Sequence, residues 1–123
     1  MSTIVWNCRG AGNPATICKL CEITKCFAPA ILCILETQIE GSRVENLSVF
    51  LGFNKAFAVS SVGRSGGLGV FGNDAIKASV IGYSPYHIDM EVHELGNTPF
   101  RFTFVYGEAQ VPERYKTWDT LRG

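Results

Sequence analysis

The chain has 123 residues, of which 46% are hydrophobic and 18% charged, so it must bury apolar surface; that excludes disorder and allows one domain or a piece of one. Eleven basic and eleven acidic residues cancel to a net charge of +0, so charge alone makes no case for nucleic acid or anionic lipid. The longest apolar run, Phe27 to Leu35, is short and contains Pro29, which excludes a membrane-spanning helix there.

The first expected element is a strand. Thr3-Ile4-Val5-Trp6 is β-branched and aromatic and runs into Asn7-Cys8-Arg9, where Gly10-Ala11-Gly12 breaks it. A helix follows: Asn13 suits the N-cap, Pro14 the first helical position, and Ile17, Leu20, Cys21 and Thr24 share one face. Pro29 stops it. Ala30 to Leu35 is a continuous apolar run of strand length, expected to be a central strand covered on both faces. Strand, helix, strand predicts a right-handed crossover with the two strands parallel. A short helix is expected over Arg43 to Leu51, stopped by Gly52.

Strands at short spacing come next. Ala56 to Ser60 and Leu68 to Phe71 flank the glycine-rich turn Gly63-Arg64-Ser65-Gly66-Gly67, and Ala78 to Ile81 follows. Tyr86, Ile88, Met90 and Val92 alternate with His87, Asp89, Glu91 and His93. Phe100, Phe102, Phe104 and Tyr106 alternate with Arg101, Thr103 and Val105. Period-two patterns mean half-buried, mostly antiparallel strands. Gly96-Asn97-Thr98-Pro99 is the expected turn between them, and Val111, Tyr115 and Trp118 share a last helical face. The class is α/β: a βαβ opening, then a mostly antiparallel sheet.

Four constellations bear on chemistry. Gly10-x-Gly12-x-x-Ala15, with Glu36 at the end of the next strand, has the form of a dinucleotide fingerprint and would make the chain a nucleotide-binding oxidoreductase. Against it, a doubly wound fold needs helices between its strands, and residues 56–106 show none. Cys18, Cys21, Cys26 and Cys33 superficially resemble zinc spacing, but they fall inside a helical pattern and an apolar strand, where free cysteine acts as a small hydrophobe. The five cysteines, with no export signal at the start, point to reduced thiols in an intracellular compartment, nuclear or cytoplasmic. The row His87, Asp89, Glu91, His93 reads as a solvated outer face. The fourth is the pair Asn7 and Glu36. Each closes a strand of the crossover at its C-terminal end, the edge where α/β sheets gather ligands. An amide and a carboxylate there suit a hard cation such as Mg²⁺; the alternative is that both merely cap strand ends.

Read together, Trp6-Asn7-Cys8-Arg9-Gly10, Leu35-Glu36-Thr37, Arg64-Ser65-Gly66-Gly67-Leu68 and Phe104-Val105-Tyr106-Gly107 occur in that order. In this the chain resembles the endonuclease/exonuclease/phosphatase superfamily, which includes AP endonucleases and DNase I. The stretch Phe57 to Leu68 and the ending Arg114 to Leu121 with Trp118 resemble most the endonuclease domain of plant LINE-type (non-LTR) retrotransposons. The resemblance implies a DNase I-like four-layer α/β/β/α sandwich. It also implies Mg²⁺-dependent hydrolysis of a DNA phosphodiester (Mn²⁺ being a possible substitute), producing a nick that primes reverse transcription. It implies that Glu36 holds the metal, that Asn7 orients the metal or its water, and that Tyr106 hydrogen-bonds the scissile phosphate. Arg9 and Arg64 are implied as weaker substrate contacts.

The chain also departs from the family. Its Asp-x-Asn motif and terminal Asp-His pair are not among the 123 residues, and Gly72 stands where tryptophan is common. The expectation is therefore that residues 1–123 are roughly the N-terminal half of one domain, inactive alone, with DNA binding weak or none, no membrane partner, and the C-terminal half as the missing partner. A non-catalytic remnant is the other reading. The strands are expected to form about one sheet whose inner face, including Phe100, Phe102 and Phe104, lacks its cover, leaving the chain marginally folded or prone to aggregate.

Overall fold

The computed structural model describes residues 2–62, 66–74, 76–94 and 98–105, with the Glu94 side chain left out. Arg64, Tyr106, Gly96 and Asn97 of the turn before β7, and the expected helix with Val111, Tyr115 and Trp118 lie outside the described residues.

The order is β1 (Thr3–Asn7), α1 (Pro14–Phe27), β2 (Ile31–Leu35), α2 (Gly41–Leu51), β3 (Lys55–Val59), β4 (Leu68–Gly72), β5 (Ile76–Ser84), β6 (His87–Glu94) and β7 (Phe100–Val105). Helix α1 starts as its sequence dictates: the Asn13 side chain accepts the Ala15 N–H at 2.9 Å and Pro14 needs no donor partner in the first turn. It ends at Ala28, whose left-handed backbone (φ 42) sends its N–H back to the Thr24 carbonyl just before Pro29 forbids another turn. Helix α2 begins at Gly41, two residues ahead of the expected Arg43, because the Gly41 N–H is taken by the Ser60 hydroxyl at 2.9 Å. Gly52, at φ 80, closes it.

Two sheets form. The first has the order β1-β2-β4-β3, with β1 and β2 parallel and the other pairs antiparallel; the second is the meander β5-β6-β7. This corrects the expectation of about one sheet. The outer face of the first sheet buries Leu32, Ile34 and Phe71 under Leu20 of α1 and Val44, Leu47 and Leu51 of α2. Its inner face places Ile31, Cys33, Leu68 and Val70 against Ile76, Ile88, Met90, Val92 and Phe104 of the second. The chain thus supplies its own cover: Phe104 is buried and Phe102 packs on this core, while Phe100 stays 38% exposed. The premise for marginal folding fails for the inner face of β7. Among the described residues the layers run α, β, β.

Strand β5 spans nine residues, more than the expected Ala78 to Ile81, because a bulge at Ile81 lets it continue. The extra residue turns Tyr83 onto the inner face, where its ring meets Phe57 at 5.3 Å. Lys55 pairs with Asp74 at 4.0 Å at the foot of the sandwich, whereas Tyr83 reaches farther along β3. Strand β5 therefore climbs in the same sense as β1, β2 and β3, and β7, antiparallel to β6 as β5 is, shares that sense. Their C-terminal ends share one rim.

Candidate metal centre

That rim is built by three segments that leave strand ends and lock onto one another. Asn7 and Leu35 are register partners on the parallel pair, so Glu36 follows directly beyond the residue opposite Asn7. The sequence-derived pair thus meets at one end of adjacent strands. Asn7 is exposed and Glu36 half-buried.

Past Leu35 the backbone turns sharply: Glu36 (φ 54) and Gln38 (φ 59) both adopt the left-handed region, as does Arg9 (φ 49) on the neighbouring loop. Non-glycine residues there carry strain, which collects at functional sites. The surroundings hold the strain in place. The Gly10 N–H donates to the Glu36 carbonyl and the Ala11 N–H to the Thr37 carbonyl, both at 2.8 Å. From the other side, the Thr37 and Gln38 N–H groups donate to the carbonyls of Gly67 (3.2 Å) and Gly66 (2.9 Å). Ladder-like bonding therefore continues across all three loops above the sheet.

Cys8 adds a further tie. It is buried, and its thiol donates to the Leu35 carbonyl at 3.2 Å, with the Glu36 carbonyl at 3.6 Å. Burial pushes its pKa up, and nearby Glu36 adds to the rise, against backbone hydrogen bonds that lower it. Cys8 therefore stays a neutral donor and is no thiolate ligand. Among the described residues, the two positions that meet at these strand ends both carry side-chain oxygen, a carboxylate at Glu36 and an amide at Asn7. A hard ion that keeps most of its waters, such as Mg²⁺, fits that donor set. Among the described residues no group of three or more His, Cys, Asp or Glu side chains comes together.

Beside Asn7 a shallow cleft is lined by Trp6, Arg9, Thr16 and Lys19, whose ammonium also lies 3.9 Å from the Glu22 carboxylate. Arg9 thus stands next to the pair, exposed.

The other constellations disperse. Cys33 lies on the inner face of the first sheet, while Cys21 packs on the opposite face and Cys18 and Cys26 are exposed on α1, so the four thiols do not converge. The outer row of β6 is satisfied locally: His87 Nδ1 meets Ser84 Oγ at 2.5 Å, Arg101 and Thr103 donate to Asp89, and His93 meets Glu91 at 2.7 Å. Gly10 and Gly12 do not open a nucleotide-binding fold. Among the described residues one strand pair is parallel, and the next neighbour, β4, runs antiparallel. This overturns the oxidoreductase alternative.

Sequence reasoning missed Thr37 and the closeness of Gly67. Thr37 is fully buried, and its Oγ1 has no hydrogen-bond partner among the described residues. A Cβ at Gly67 would overlap that oxygen. The signal was the pair of glycines before β4, which reads only as a turn until its contact is seen.

No family model and no curated protein matches the chain. Solved structures do. An AP endonuclease from Leishmania major superposes with a TM-score of 0.66 at 11% identity, over 97% of this chain and 45% of its own. A humanized TDP2 from D. rerio gives 0.69 at 14%, over 98% and 57%. The catalytic domain of APE2 from Xenopus laevis gives 0.61 at 15%, over 97% and 49%. The fold is DNase I-like. The chain spans about half the length of the solved structures it matches, and these neighbours are endonuclease/exonuclease/phosphatase-type proteins. No described helix is long and apolar enough to cross a membrane.

Proposed function

We propose that the chain is the N-terminal half of a Mg²⁺-dependent DNA endonuclease domain of the plant LINE-type retrotransposon kind. The observation that carries this reading is the meeting of Asn7 and Glu36 on adjacent parallel strand ends, above a locked and strained rim. The neighbours support it in kind: their names include AP endonucleases and a Neisseria 3′ phosphatase bound to a product DNA hairpin.

In this reading Glu36 holds the ion through its carboxylate and Asn7 stands beside it. When bound, Mg²⁺ (or Mn²⁺) neutralises charge that develops on the phosphate oxygens during cleavage. Arg9 and Lys19 bring positive charge to the cleft next to Asn7, where a DNA backbone would pass. Cys8 keeps the two strand ends in register and stays uncharged, so it does not compete for the cation. Tyr106 follows β7 in the sequence and Arg64 comes two residues before Gly66; we assign both to phosphate contact. The second half of the domain supplies the base and the water-positioning residues, so residues 1–123 alone do not nick DNA.

The test is plasmid nicking with Mg²⁺ by the 123-residue chain, by a polypeptide extended through a downstream half with Asp-x-Asn and Asp-His motifs, and by its Glu36→Gln variant. The extended protein should nick, and both the short chain and the variant should not. An extended protein that cuts equally well with Gln at position 36 refutes the assignment.

A further inference from the structure

We propose that Thr37 and Gly67 form a latch that positions the Glu36 carboxylate. The inference rests on the metal reading above. Glu36 sits in a left-handed backbone that its own side chain does not favour, so something outside the residue must hold it. The main-chain bonds on both sides fix where residues 36–38 run, and two of them come from Gly66 and Gly67. Those two can form only while Gly66 and Gly67 lie against Thr37 and Gln38.

The closure is tight. Gly67 has φ 94 and no room for a Cβ, because Thr37 Oγ1 already occupies the space and Thr37 Cβ lies 3.3 Å from it. Thr37 is itself fully buried with its hydroxyl unpartnered. Valine branches in the same way and would leave no polar atom orphaned, so burial alone does not explain threonine here. A hydroxyl is slimmer than a methyl, however, and it lets the Gly67 backbone come close enough to bond the Thr37 N–H. Thr37 is thus a positioning residue acting through the 36–38 backbone, and Gly67 is its counterpart. Residues that orient metal ligands in this way typically matter about 10–100-fold in metal affinity.

The test measures Mn²⁺ affinity of the full 123-residue chain by electron paramagnetic resonance, at a temperature where circular dichroism shows every variant folded. Gly67→Ala and Thr37→Val should each weaken binding about tenfold or more, while Thr37→Ser, which keeps the hydroxyl, stays within about twofold. Leu20→Ala, in the helix-side core, should lower Tm and leave affinity unchanged. If Gly67→Ala does not fold, the contrast between Thr37→Val and Thr37→Ser decides. Parent-like binding by Thr37→Val, or a Leu20→Ala loss as large as that of the latch variants, overturns the latch. Glu36→Gln separates the two ideas: if it binds like the parent, or the parent binds no Mn²⁺ at millimolar levels, the metal reading fails and the latch with it. If only Glu36→Gln loses the ion, the latch alone fails.

Discussion

Two donors of Cys8 share one acceptor, the Leu35 carbonyl. The Leu35 carbonyl takes the Cys8 N–H at 3.0 Å and the Cys8 thiol at 3.2 Å, so the ends of the two parallel strands are tied twice at a single oxygen. This double tie fixes Asn7 relative to Glu36. Cys8→Ala keeps the main-chain bond and removes the second donor with its buried sulfur, at a cost of about 1–3 kcal/mol. Thermal melts at neutral pH should show the corresponding fall in Tm; an unchanged Tm would mean that the thiol contact contributes nothing.

Cys33 sets a pH limit on the fold. It is buried in the middle of β2, and burial pushes its thiol from an ordinary 9.0 up to about 12. The folded state therefore keeps a proton that the unfolded chain gives up. Stability from this group is complete below pH 9 and is lost as pH rises toward 12. Melts should show Tm falling above pH 9, and Cys33→Ala should start from a lower Tm but lose less of it over the same range. A parallel fall in both proteins would remove Cys33 as the cause. At mildly alkaline pH, thiol reagents should label Cys18 and Cys26 at once and Cys8 and Cys33 only on unfolding.

Gly69 marks where α2 rests on the sheet. A Cβ there would stand 2.6 Å from Val44 Cγ1 and 3.1 Å from Ile34 Cγ1. Gly69→Ala should cost about 1–3 kcal/mol by forcing the helix outward. Val44→Ala in the same chain should recover part of that loss, although it is destabilising alone. Strict additivity in chemical denaturation would contradict the contact.

The polar row of β6 is expected to be structural. Asp89 accepts from Arg101 and Thr103 on β7, but the Arg101 side chain is 67% exposed, so Asp89→Ala should cost no more than about 1 kcal/mol. His87→Ala and His93→Ala should leave Mn²⁺ affinity unchanged. A loss of affinity in either would move the metal site to this face.

Local patterns made much of this legible. Asn13 and Pro14 announced α1, the run Ile31 to Leu35 announced a strand buried on both faces, and the alternation of Ile88, Met90 and Val92 gave the inner face of β6. The division into two sheets was not legible. Pairing of β2 with β4 joins segments separated by α2 and β3, and periodicity carries no information about partners. For the same reason Phe104 was expected to lack a cover that β2 and β4 in fact provide. At the rim, residue types told which side chains bear oxygen, and the strand ends brought Asn7 and Glu36 together. The left-handed turns at Glu36 and Gln38 and the burial of Thr37 arise from loop-to-loop closure, which no short window of sequence encodes.

The central claim is that Asn7 and Glu36 act on one ion. A double-mutant cycle tests it most directly: Mn²⁺ affinity of the parent, Asn7→Ala, Glu36→Gln and the double variant, with folding checked by circular dichroism. If both side chains face the same ion, the double variant loses less than the sum of the single losses, with a coupling of about 0.5–3 kcal/mol. Losses that simply add, or a Glu36→Gln chain that still binds Mn²⁺ as the parent does, would contradict the account.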